Sequence, residues 1–258
     1  MSTNFFTLSY KALYSYQNVK TYLTFRVLEP LFHYLFFASM AYYIMGSEYL
    51  NFIVIGNVIY MMVHTLIINI TVMLRFDKIY GTLPYNIGSP TSTLAIMFKR
   101  LLIPIIDTIL TFIISSLTVF FIFNIKIEFE MIFPLLLLII TIIFSLCGIG
   151  IIISGLGVVF KNVNLFLNLS LGLFQIFCGV NFPLSVLPNG IETIARCIPF
   201  TNGLLGIREV ITNSAEMNTV LPYIYFEISI GVVTFIISIF VIKTLEILSR
   251  KKGVLFFD

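Results

Sequence analysis

Long apolar runs dominate the chain, and within them apolar and polar residues do not alternate. The stretch PLLLLIITIIFSL, beginning at Pro134, is typical. A membrane barrel strand alternates outward apolar and inward polar positions. These runs do not, so they predict helices. A helix needs about 20 apolar residues to cross a hydrocarbon core of about 30 Å. That window predicts spans over 27–46, 52–74, 101–123, 131–160, 165–182 and 221–245. The expected fold class is an all-α integral membrane protein with six transmembrane helices, forming one transmembrane domain over 1–258.

The segments between the runs carry further structure. In residues 1–26, Asn4, Thr7, Lys11, Ser15 and Asn18 fall at helical spacing on one stripe, with Phe5, Leu8, Ala12, Val19 and Leu23 toward another side. That pattern predicts a helix lying in the membrane interface rather than a polar terminus with accidental periodicity. No apolar core followed by a small-residue cleavage site marks a signal peptide. The loop over 75–100 reads RFDKIYGTLPYNIGSPTSTLAIMFKR, far longer than the handful of residues a simple connection needs. Ser89-Pro90-Thr91 there reads as a helix start, with a capping hydroxyl and a proline in the first turn, leading into a short helix over 91–98. The segment 184–220 is moderately apolar yet too interrupted to span. Ile191, Ile194, Ala195 and Ile198 share one face of a short helix, Glu192 and Arg196 another, and Pro199 breaks it before a second helix over 204–211. A re-entrant or interfacial helical hairpin is the expectation, because non-helical backbone at that depth must be buried in protein or line a wet cavity.

Composition and charge sharpen this reading. The chain is 59% hydrophobic and 10% charged, with mean hydropathy +1.05, against about 45–50% and about 25% for soluble domains. Water-soluble enzymes, disordered regions and disulfide scaffolds are thereby excluded. The net charge of +3 is too weak and scattered for a nucleic-acid footprint. The three cysteines, Cys147, Cys178 and Cys197, suggest free thiols. With both termini cytoplasmic, twelve of the fifteen Lys and Arg lie inside, and only Lys126, Arg196 and Arg208 lie outside. The expected location is the cell membrane, with 75–100 facing the cytoplasm and 184–220 facing outward.

Two motifs then stand out. One is the cytoplasmic "GTL…SPTS", with Gly81-Thr82-Leu83 and Ser89-Pro90; the other is the outer "LP…I…IAR.IPFTNGL.GIRE", with Pro188, Glu192, Pro199, Thr201 and Arg208. With the order of spans, they resemble the permease subunits of ATP-binding-cassette exporters of the type-2 family over essentially the whole chain. The resemblance implies a permease domain that pairs with a second copy, as homo- or heterodimer, and is driven by a cytoplasmic ATPase carrying ATP and Mg. It also implies that the loop between spans two and three, including Asp77, Gly81, Thr82, Ser89 and Pro90, couples the two. One departure is that family members often carry an acidic residue soon after the Gly-Thr pair, where this chain reads Pro84-Tyr85-Asn86.

The chain itself holds no G-x-x-x-x-G-K-[ST] phosphate cradle and no H-E-x-x-H metal motif. ATP hydrolysis is therefore expected on a separate subunit, with no cofactor bound by this chain and no nucleic-acid partner. Ser154-Gly155 is no protease nucleophile, since no histidine follows it. Gly148, Gly150, Gly155 and Gly157 read as close helix packing. Four ionisable residues fall within spans: Glu29, His33, Asp107 and Glu227. They suit either a proton relay or ordinary pairing, with Arg26 three residues from Glu29 and Arg100 seven from Asp107. The expected function is export of an amphipathic substrate, whether peptide, drug or lipid-linked glycan. The rival is a proton-coupled carrier using Glu29, His33 and Asp107, which predicts an internal repeat of the spans that the sequence does not show.

Overall fold

Apolar runs of this length leave the backbone one way to satisfy its N–H and C=O groups away from water, within each segment. The computed structural model describes residues 18–89, 91–123, 128–159 and 163–252, and among these it holds helices and no strand. In chain order they are α1 (Val19–Met45), α2 (Leu50–Ile79), α3 (Leu83–Gly88), α4 (Thr93–Arg100), α5 (Leu102–Phe123), α6 (Phe129–Val159), α7 (Val163–Phe177), α8 (Asn189–Arg196), α9 (Thr201–Asn213) and α10 (Met217–Lys252).

Four stretches are long and apolar enough to cross a membrane: Leu50–Ile79, Thr93–Phe123, Phe129–Gly157 and Met217–Leu248. They match the expected spans two, three, four and six. The other two expected spans take a different form. The helix expected over 165–182 stops at Phe177, so its 15 residues reach only about 22 Å at 1.5 Å per residue. Gly179 turns the chain there with φ +74. The first expected span is longer than foreseen: α1 starts at Val19 and runs unbroken through Lys20, Arg26 and Glu29. Residues 19–26 are therefore not a separate interfacial helix. The remainder of that expected helix, 1–17, lies outside the described residues.

Helix α2 is the central element, buried along most of its length. It packs against α1, α5, α6 and α7, and α6 in turn packs along α10. Small residues permit the α6–α10 approach. A Cβ on Gly148 would stand 2.4 Å from Thr234 Oγ1 and 2.9 Å from the backbone nitrogen of Phe235. Gly150 faces Ile70 of α2, and Gly155 faces Ile242 and Leu245. The expectation of helix packing from these glycines is met. Some buried hydroxyls within the spans bond back to their own helix, as Thr111 does to the Asp107 carbonyl at 2.9 Å and Thr141 to Leu138 at 2.8 Å.

Helix α4 was expected as a separate short helix, but it joins α5 almost without a break. Leu101 keeps helical dihedrals, its N–H reaches the Met97 carbonyl at 3.0 Å, and its own carbonyl accepts Ile105 N–H at 3.1 Å. The cap also differs from expectation. Ser92, not Ser89, caps α4 by accepting the Ala95 N–H at 3.3 Å. Ser89 instead accepts the Thr91 N–H at 3.1 Å.

Candidate functional site

The segment joining α2 to α5 is organised by one carboxylate. Asp77, in the last turn of α2, is buried. Its Oδ2 accepts Arg100 Nη1 at 2.7 Å and Asn86 Nδ2 at 2.9 Å, and its Oδ1 accepts Thr82 Oγ1 at 3.1 Å. The Thr82 N–H also reaches the Asp77 carbonyl at 2.9 Å. The tight turn that folds Thr82 back requires φ +67 at Gly81, a conformation that costs glycine little. The three polar partners come from the loop, α3 and α4, so the carboxylate fastens the whole segment to the end of α2. Arg100 was expected to accompany Asp107; it pairs with Asp77 instead, from the last turn of α4 to the last turn of α2.

Outside this clasp the segment shows a different face. Leu83 and Met97 are buried, and Phe98 stacks on Phe235 of α10 with ring centres 5.8 Å apart. Ile79, Tyr80 and Tyr85 are exposed, Tyr85 at 81%. Of the residues singled out from sequence, Asp77, Gly81 and Thr82 come together, Ser89 follows α3 and bonds to Thr91, and Pro90 lies outside the described residues.

The opposite end of α2 receives the segment after α7. Pro188 precedes α8 and accepts N–H groups from Ile191 and Glu192, at 2.8 and 3.0 Å. Glu192 pairs with Arg196 at 2.8 Å on the exposed face of α8. Of the apolar face expected there, Ala195 is buried and Ile198 partly so, whereas Ile191 and Ile194 are exposed. Phe200, in the left-handed region at φ 68, then starts α9.

Two long-range contacts hold α9. Arg208 of α9 does not pair with an acidic side chain among the described residues. It is buried and donates to the carbonyls of Gly179 at 2.6 Å, Val180 at 2.8 Å and Phe52 at 3.0 Å. Its guanidinium lies 3.4 Å from the centre of the Phe52 ring. A planar fork of donors suits three converging carbonyls in a way that one ammonium does not. Gly56 makes room, since a Cβ there would sit 2.2 Å from the Val180 oxygen. Asn57 adds a 3.0 Å bond to Asn181.

Glu227 of α10 holds the other end of α9. It is fully buried and accepts Phe200 N–H at 2.6 Å, Gly203 N–H at 3.1 Å and the Ser145 hydroxyl. The first N–H groups of a helix have no partner within it, and the helix dipole favours an anion there. Glu227 is thus a capping group supplied by a neighbouring helix, and ordinary pairing, not a relay, accounts for it. Pro199, Thr201, Arg208 and Glu227 all belong to this one assembly. Sequence reasoning missed Ser145, Gly56 and Asn57; a polar or minimal residue inside an otherwise bulky apolar run was the available signal. Glu227→Gln, which keeps one acceptor, is expected to cost less than half as much stability as Glu227→Ala, which strands both N–H groups at roughly 1–3 kcal/mol each. Thermal unfolding of the two variants in detergent checks the order.

The remaining ionisable residues fall into two groups. Asp107 accepts Arg26, Tyr22 and, at 2.6 Å, Asn69 Nδ2. Arg26 was expected to accompany Glu29, but it is committed across the α1–α5 interface to Asp107. Glu29 and His33 line a cavity with Phe36, Tyr60, Met61 and His64, a lining that does not include Asp107.

Comparison with curated proteins finds no match. A family model described as ABC-2 type transporter matches residues 3–212, most of the chain. The helical membrane architecture agrees with that match, and the chain belongs to the ABC-2 type transporter family, as a transmembrane transport subunit.

Proposed function

We propose that the chain is the permease subunit of an ATP-driven exporter for an amphipathic substrate: peptide, drug or lipid-linked glycan. The observation that carries this reading is the Asp77 clasp, which fixes the 77–100 segment to a central span while leaving Tyr80 and Tyr85 exposed for a partner. That partner is a cytoplasmic ATPase subunit, which binds ATP and Mg. Because α4 continues into α5, a push on the segment moves a spanning helix rather than a loose loop. Asp77, Gly81, Thr82, Ser89 and Pro90 serve the coupling, and Pro188, Glu192, Pro199, Thr201 and Arg208 shape an outer lid over the exit.

In this reading α1 and the short α7 also traverse the membrane, giving six crossings with both termini cytoplasmic. Twelve cationic residues inside against three outside support that orientation. Two permeases, identical or different, enclose the path in the cell membrane.

The test is site-directed photo-crosslinking. A photoreactive residue at Tyr85 is expected to capture the ATPase subunit, and one at Ser185 of the outer segment is expected to capture none. Capture from Ser185 but not from Tyr85 would reverse the assignment of the two ends.

A further inference from the structure

Midway along α1 and α2, between the two polar ends already described, the helices part to form a cavity of about 330 Å³ lined by Glu29, His33, Phe36, Tyr60, Met61 and His64. Its volume falls within the range of about 300–1,000 Å³ usual for small-molecule sites. Its walls are largely aromatic. His33 stacks on Tyr60 with ring centres 5.6 Å apart, and Tyr60 and His64 stand 6.1 Å apart. His33 Nε2 is buried without a hydrogen-bond partner.

Glu29 is the one carboxylate in the lining of this cavity. Glu29 makes no hydrogen bond or ion pair among the described residues, and Arg26, one turn before it, is held by Asp107. Glu29 is exposed, so its carboxylate is open to a ligand entering the cavity. Among the described residues no three His, Cys, Asp or Glu side chains converge to hold a metal ion. A carboxylate beside aromatic faces is the chemistry that recognises an organic ammonium.

We infer that this cavity binds the cationic head of an amphipathic ligand, with Glu29 as counter-ion and Phe36 and Tyr60 as aromatic walls. The inference rests on the transport reading and adds to it the charge class of the substrate.

Equilibrium dialysis tests it, with radiolabelled benzyltrimethylammonium and the full chain in nanodiscs of zwitterionic lipid. Saturable binding is expected, displaced by dodecyltrimethylammonium but not by neopentylbenzene, the uncharged isostere. Glu29→Gln is expected to weaken binding at least about tenfold. Its thermal stability should stay near that of the parent, since Glu29 holds no other group in place. Phe36→Leu, at an exposed position, is expected to weaken binding about threefold. No saturable binding, or unchanged affinity in both variants, would overturn the inference. The assay contains neither ATPase nor ATP, so its failure leaves the exporter reading standing. Loss of ATP-driven export with binding intact would remove the exporter reading alone.

Discussion

Replacing Arg208 with methionine is expected to destabilise the end of the bundle where α7, α9 and the start of α2 meet, by about 2–4 kcal/mol. The substitution keeps the apolar stem and removes the fork. The carbonyls of Gly179, Val180 and Phe52 then lose their charged donor in a place that is not open to water. Hydrogen bonds to charged groups contribute about 1.5–3 kcal/mol each, and part of that is recovered because a buried guanidinium no longer has to be desolvated. Arg208→Lys should fall between, because one ammonium cannot reach three carbonyls spread over two elements. The measurement is hydrogen exchange in nanodiscs. Exchange over 178–213 should rise in Arg208→Met while the α6–α10 contact stays protected. Parental protection in that segment would show that packing alone holds the hairpin.

The second large effect is expected at Asp77. Asp77→Leu removes the acceptor shared by Arg100, Asn86 and Thr82 and leaves Arg100 without its ion-pair partner. Breaking a buried pair from one side costs about 3–5 kcal/mol, and this pair is partly exposed, so the lower end applies. With the segment detached from α2, ATP hydrolysis by the partner should continue while export falls by more than about tenfold. The exchanged pair Asp77→Arg with Arg100→Asp is expected to recover part of the export. A double-mutant cycle on export rate, with assembly checked by co-purification, separates coupling from misfolding. Strictly additive losses in the two single variants would mean that the pair does not couple.

The spans of the central bundle were legible because burial on all sides demands continuous apolar runs. The helices over 50–79, 102–123, 129–159 and 217–252 each begin within five residues of the sequence expectation. The end of α7 was not legible, since its apolar run continues to Phe182 and only the Gly179 turn, fixed by Arg208 29 residues away in α9, stops it. Ion pairing was misassigned for a related reason. Nearness in sequence joined Arg26 to Glu29 and Arg100 to Asp107, but helices lying side by side exchange these partners. Glu227 drew notice as a buried charge, and its role stayed hidden because two of its partners are backbone N–H groups, which leave no trace in a sequence. The coupling segment shows both outcomes. Its excess length and Gly-Pro punctuation were plain, whereas α3 was not foreseen and the cap fell at Ser92 rather than Ser89.

The energy source of transport tests the central claim most directly. The chain and its ATPase subunit would be placed together in proteoliposomes, with the clasp-bearing end accessible from outside, and uptake of a labelled amphiphile would be followed. Uptake should require ATP outside, proceed without any proton gradient, and stop when ATP is confined to the lumen. Uptake driven by a proton gradient in the absence of ATP would contradict the account and restore the secondary carrier.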